Sequence, residues 1–163
     1  MNSLAFSPDS KLLVSGGGLG GLSAIIWDVE KHALRHHLEG HKGEIYTVGF
    51  TPDSARAASG SFDNTLKLWS VGSGREIATL RGHRDKVNVL AVSPTDGTIF
   101  SGSYDGDIRV WDGSTGRYLR TIGNTNSWVG GLAPTPDGKK LVSTCIGGPP
   151  CASEPQIVWD IAG

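Results

Sequence analysis

Several things are scarce in this chain of 163 residues. It has 2 cysteines, too few for a disulfide-built scaffold. It has no apolar run near the roughly 20 residues a membrane-spanning helix needs. An excess of charge of one sign is absent: Lys plus Arg is 15 and Asp plus Glu is 16, a formal net charge of -1. That balance gives no broad electrostatic pull toward nucleic acid or an anionic membrane. Charged residues make up 19%, too few for a self-repelling disordered chain. Met1 to Lys11 lacks the basic-then-apolar pattern of a secretory leader, so a cytoplasmic location is expected, with the nucleus as the other choice. What is abundant is glycine, 24 residues. Glycine at this level beside a single methionine points to many tight turns and few helices.

The chain repeats. Trp27, Trp69 and Trp111 are 42 residues apart, and Trp159 follows after 48. Asp follows three of them (Asp28, Asp112, Asp160), and Ser70 follows the other. Gly40-His41 and Gly82-His83 are also 42 apart, as are Pro52, Pro94 and Pro136, with Pro8 a further 44 upstream. Three landmarks on one period define units at about 1–39, 40–81, 82–122 and 123–163. Each unit reads as four short strands. In the second, Ile45 to Phe50 is apolar and Thr51-Pro52-Asp53-Ser54 is a turn with proline at its first corner. Ala55 to Ser59 follows, and Phe62-Asp63-Asn64 closes a hairpin. Thr65 to Ser70 alternates faces, and Gly72-Ser73-Gly74 turns into Arg75 to Leu80. Helical periodicity is absent.

Gly-His, then Ser-Gly-Ser-x-Asp, then Trp-Asp at this period resembles the WD40 repeat family. The resemblance covers essentially the whole chain and is sharpest in the second and third units. It implies an all-β fold, a WD40-type β-propeller with one four-stranded blade per repeat and four blades here. A buried indole N–H needs an acceptor, and the family's structural tetrad supplies one. That tetrad carries over to His41, Ser59, Asp63 and Trp69, and again to His83, Ser101, Asp105 and Trp111. A Ser, His and Asp together also suggest a hydrolase triad. Recurrence in each good unit, with a tryptophan that accounts for the serine, argues for structure instead. The first unit replaces the Asp hairpin with glycines 16–18 and 20–21 around Leu19. The fourth has Gly123-Asn124 in the Gly-His place and a longer hairpin from Cys145 to Gln156. Both blades are expected to lack the full polar chain.

The strand count predicts an open arc: the fourth blade lacks its outer strand. The chain then reads as part of a longer propeller, as half of a two-copy ring, or as a compact four-bladed ring. In the family, partner contacts cluster at the start of the innermost strand and just before the tetrad Asp. Counting back eight from the turn proline gives Glu44, Lys86 and Trp128, and six gives Tyr46, Asn88 and Gly130. The pre-Asp residues are Phe62 and Tyr104. Four of these eight are aromatic in a chain that is 7% aromatic, which suits protein recognition. The expectation is a non-catalytic scaffold for a protein or peptide partner, with no catalytic residue, metal or cofactor. Self-assembly into a ring and a propeller-borne hydrolase are the alternatives. The adjacent His36 and His37 point to opposite strand faces, and His41 belongs to the tetrad, so with His32 they fit a solvated outer strand better than a metal site. Ser7, Thr51 and Thr135 before proline look like phosphorylation sites but are explained by their turns. Cys145 and Cys151 allow a disulfide, which would imply an oxidising compartment, or two thiols; the spacing is not that of a zinc or redox CxxC.

Overall fold

In the computed structural model, residues 2–17, 21–147 and 156–161 are described. They hold fifteen strands and no helix. The strands form four antiparallel meanders. Blade 1 is β1 (Ser3–Phe6), β2 (Leu12–Gly16), β3 (Ala24–Asp28) and β4 (Ala33–Leu38). Blade 2 is β5 (Ile45–Phe50), β6 (Arg56–Ser61), β7 (Leu66–Ser70) and β8 (Glu76–Leu80). Blade 3 is β9 (Val87–Val92), β10 (Ile99–Ser103), β11 (Asp107–Trp111) and β12 (Tyr118–Asn124). Blade 4 has three strands among the described residues, β13 (Trp128–Pro134), β14 (Lys140–Ile146) and β15 (Gln156–Asp160). The first strand of each blade lies against the first strand of the next, β1 on β5, β5 on β9 and β9 on β13.

Alternating side chains fill the seams between blades. Leu12, Val14, Ile26 and Leu38 of blade 1 meet Ile45, Phe50 and Trp69 of blade 2. Ala58, Leu66, Leu68 and Leu80 of blade 2 meet Leu90, Ile99 and Trp111 of blade 3. Phe100, Ile108 and Val110 of blade 3 meet Val129, Leu141 and Trp159 of blade 4. Ile26, Leu38, Leu66, Leu68, Ile99, Ile108 and Leu141 have no exposed surface. Each such side chain contributes about 1.5–3 kcal/mol on burial. Leu66 and Leu68 face blade 3 while Trp69 faces blade 1, the alternation expected from the sequence. No cluster of described residues joins blade 4 back to blade 1. The arc is open.

The turns follow one recipe. The Ser7, Thr51 and Thr135 hydroxyls donate to Asp9 at 2.5 Å, Asp53 at 2.5 Å and Asp137 at 2.6 Å. The same oxygens accept from the backbone N–H of Leu12, Arg56 and Lys140. Ser7 and Thr51 are buried, so a kinase could not reach them without opening the turn.

One expectation is corrected. Gly123 and Asn124 lie inside β12 rather than in a Gly-His place. The residue one 42-residue step beyond His83 is Thr125, buried with its hydroxyl donating to the Ser127 carbonyl at 2.6 Å. Blade 4 has a short hydroxyl where blades 2 and 3 have an imidazole. Cys145 is disulfide-bonded, so the reading as a free thiol does not hold for it; Cys151 and the loop around it lie outside the described residues. Glycines 18 and 20 and Leu19 lie outside them as well.

Candidate functional site: the rim at the blade tops

The tetrads form in blades 2 and 3. In blade 2 the Trp69 indole N–H donates to Ser59 Oγ at 2.8 Å, and Ser59 Oγ lies 2.8 Å from His41 Nε2. His41 Nδ1 meets Asp63 at 2.8 Å. Blade 3 repeats this at 2.8 Å for Trp111 to Ser101, 2.8 Å for Ser101 to His83 and 3.1 Å for His83 to Asp105. Each carboxylate also takes the backbone N–H of the residue after its histidine, Lys42 or Arg84, at 2.8 Å. Both carboxyls titrate well below the usual range. Burial alone would raise them, but the bonds from the histidine and the backbone N–H groups outweigh it, with the Thr65 hydroxyl adding to Asp63.

Among the described residues, blades 1 and 4 show only the inner half of this chain. Trp27 donates to Ser15 at 3.0 Å and Trp159 to Ser143 at 2.8 Å. His36 is not drawn toward His41: it lies on β4 with its ring against the Gly74 turn.

The tetrads fix the hairpin tips, and the tips carry the rim. Phe62 N–H donates to the Glu44 carbonyl at 2.9 Å and Tyr104 N–H to the Lys86 carbonyl at 3.0 Å. The Ser61 and Ser103 hydroxyls tie to the carbonyls of Gly43 and Asp85, both at 2.9 Å. The residue before each tetrad Asp therefore stands beside the residue that opens the innermost strand. A second device repeats in three blades. The strand register slips between Ile45 and Thr47, between Val87 and Val89, and between Val129 and Gly131. The skipped residues are Tyr46, Asn88 and Gly130. A bulge leaves its extra residue outside the ladder and re-aims the side chain.

Together these place four aromatics in one row. Tyr46 stacks on Phe62 with ring centroids 4.5 Å apart and planes 12° from parallel. Phe62 lies 5.9 Å from Tyr104, tilted by 52°. Tyr104 stacks on Trp128 at 4.4 Å and 11°. The Lys86 ammonium sits 4.7 Å from the Phe62 centroid and 6.0 Å from that of Tyr104. Tyr46 and Trp128 at the two ends are 37% and 48% exposed. Burial, then the neighbouring Tyr46 and Asp85, push the Tyr104 hydroxyl up from its ordinary value.

Not every expected rim residue joins the row. Glu44 is exposed, and its backbone carbonyl is what holds Phe62. Asn88 is turned sideways: its amide donates to the Val129 carbonyl of blade 4 at 3.0 Å. Asn2, at the matching position of blade 1, donates to Ile45 of blade 2 at 3.1 Å. Sequence reasoning missed Ile146, the register partner of Trp128. With Tyr104, Asn126, Ser127 and Trp128 it lines an open hollow of about 470 Å³ at the blade 4 end of the row.

Radial sheets pinned by repeated indole-centred polar chains define a propeller-type repeat protein. The WD domain, G-beta repeat profile matches residues 1–28, 33–70 and 74–112. The chain belongs to the WD40 repeat family. It is similar to NACHT domain- and WD repeat-containing protein 1 of Mus musculus, 39% identical over 80 residues, 49% of this chain and 5% of that protein. It is 37% identical over 70 residues to the guanine nucleotide-binding protein subunit beta of Saccharomyces cerevisiae, 43% of this chain and 16% of the relative. Protein groucho of Drosophila melanogaster is 32% identical over 74 residues, 45% of this chain and 10% of its own length. The alignments thus span a small part of each relative. Among the described residues no helix is long and apolar enough to cross a membrane.

Proposed function

We propose that this chain is a non-catalytic scaffold whose rim, made of Tyr46, Phe62, Lys86, Tyr104 and Trp128, docks a protein or peptide partner. The observation that carries the reading is the unbroken ring row across blades 2, 3 and 4, ending in a half-exposed indole. Such a surface offers large apolar contact at low cost in side-chain entropy. The hydrolase alternative is disfavoured because Ser59 and Ser101 are buried and each already accepts an indole N–H. The test is capture of binding proteins by the native chain and by a Tyr104→Ala, Trp128→Ala double variant. Loss of the captured proteins with an unchanged near-ultraviolet spectrum of the remaining tryptophans is expected. Unchanged capture overturns the rim site.

A second reading concerns the ends of the arc. Trp69 and Trp111 are buried by the preceding blade and half-buried Trp159 packs on blade 3, but half-buried Trp27 has no such blade among the described residues and sits beside Phe6, which is 63% exposed. We infer that a further sheet covers this face, from a longer polypeptide or a second copy. Sedimentation of the isolated chain tests it: association that Phe6→Glu abolishes supports the two-copy form, and a monomer at high concentration removes it.

A further inference from the structure

We propose that the rim takes an extended peptide with one carboxylate side chain placed two or three residues from an aromatic or large aliphatic one: the carboxylate on Lys86, the apolar group in the hollow between Trp128 and Ile146. This rests on the rim reading above and names its partner class.

Lys86 is exposed, its ammonium is held over the faces of Phe62 and Tyr104, and it has no carboxylate within ion-pair distance among the described residues. Its neighbour Arg84 is engaged, 3.5 Å from Asp107. An ammonium resting on two ring faces is partly desolvated and already positioned, so an incoming carboxylate meets it at a lower ordering cost. The hollow supplies the second point of contact. It is lined by Tyr104, Trp128 and Ile146, 48% exposed, together with the polar Asp105, Asn124, Asn126 and Ser127. That mixture suits an apolar side chain whose flanking peptide groups need partners.

The spacing follows from the row. Lys86 Nζ is 6.0 Å from the Tyr104 centroid, which is 4.4 Å from that of Trp128. An extended chain advances about 3.3 Å per residue, so at most about three residues separate the Lys86 contact from the Trp128 ring. A cationic ligand is disfavoured because Lys86 already covers the Phe62 and Tyr104 faces that would receive it. Glu44 and Asp85 add negative charge to the same surface, so one acid in an otherwise neutral segment matches better than an acidic run.

The experiment is selection from a phage-displayed library of random peptides on the native chain, then anisotropy titration of the enriched peptides. The expected result is enrichment of Asp or Glu two or three residues from Phe, Trp, Tyr, Leu or Ile. Lys86→Glu should weaken these peptides about tenfold or more and shift selection toward Lys or Arg. Peptides that need Trp128 but tolerate Lys86→Glu, or that carry a basic residue, overturn this partner class and leave the rim reading standing. A phosphoserine replacement that binds about tenfold tighter than the acid also overturns it, reassigning the site to phosphate. Peptides that bind the Tyr104→Ala, Trp128→Ala variant as well as the native chain, or no enrichment at all, overturn both.

Discussion

Tyr104 of blade 3 lies flat against Trp128 of blade 4, with centroids 4.4 Å apart and planes 11° from parallel. The pair bridges a seam whose interior is held by Val129 and Leu141. It therefore adds surface to the seam rather than filling it.

That placement separates binding from stability. Trp128→Ala removes one stacked pair and a half-exposed indole, a loss of about 0.5–1.5 kcal/mol beyond area burial. Urea denaturation should show that modest drop. Loss of the cooperative transition would mean that Trp128 holds the blades together.

The serine at the centre of a full tetrad should matter far more than its counterpart at the open end. Ser101→Ala leaves the buried Trp111 N–H and His83 without their shared partner, costing about 1–3 kcal/mol. Ser15→Ala should cost clearly less, because half-buried Trp27 can turn to water and no histidine bonds Ser15 among the described residues. Thermal unfolding of the two variants side by side checks the ranking.

Acid should loosen the middle blades. The folded-state pKa values of Asp63 and Asp105 are depressed below their unfolded value, near 4. Their contribution is fully present above that value and is lost as pH falls through it toward the folded pKa. Asp105→Asn should lower stability at neutral pH and flatten the decline below about pH 4, as read from denaturation midpoints at several pH values. An acid limb equal to that of the native chain would show that the carboxylate is not a source of the dependence.

The Gly-His step depends on backbone as well as side chain. Gly82 has φ of 145°, a backbone conformation L side chains rarely adopt, so the strain there does not depend on the movable Arg109 tip that a Cβ would meet. Gly82→Ala should destabilise by more than about 1 kcal/mol. Gly72→Ala, where a Cβ meets nothing within 4 Å, should be close to neutral. Chemical denaturation of both variants decides.

The architecture was legible because the tetrad needs a tryptophan, a serine, a histidine and an aspartate at fixed offsets, so Trp69 and Trp111 announced their blades. Trp27 and Trp159 announced theirs more weakly, yet each still found its serine, across hairpins twelve and sixteen residues apart from indole to hydroxyl. Tyr46 and Trp128 were found by counting from the turn proline, and Phe62 and Tyr104 as the residues before the tetrad aspartates. The contacts of Tyr104 with Phe62 and Trp128 were not, because they depend on how adjacent blades are rotated. The bulge at Tyr46, Asn88 and Gly130 had no residue signature: three unrelated side chains occupy it. Asn88 reads as a rim residue by position, but its amide length suits a carbonyl on the next strand. Ile146 became visible only through its register with Trp128. Thr125 escaped notice because the nearby Gly123 invited a Gly-His alignment one residue early.

Three of the four repeat indoles look backward along the chain: Trp69 onto blade 1, Trp111 onto blade 2, Trp159 onto blade 3. The arc is thus polar, with unlike surfaces at its two extremities. Any sheet that comes to rest on Trp27 must offer the side that Ala58 and Leu66 offer to Trp111. Extension is head-to-tail by construction, and two copies meeting through the same extremity would set indole against indole with neither one housed.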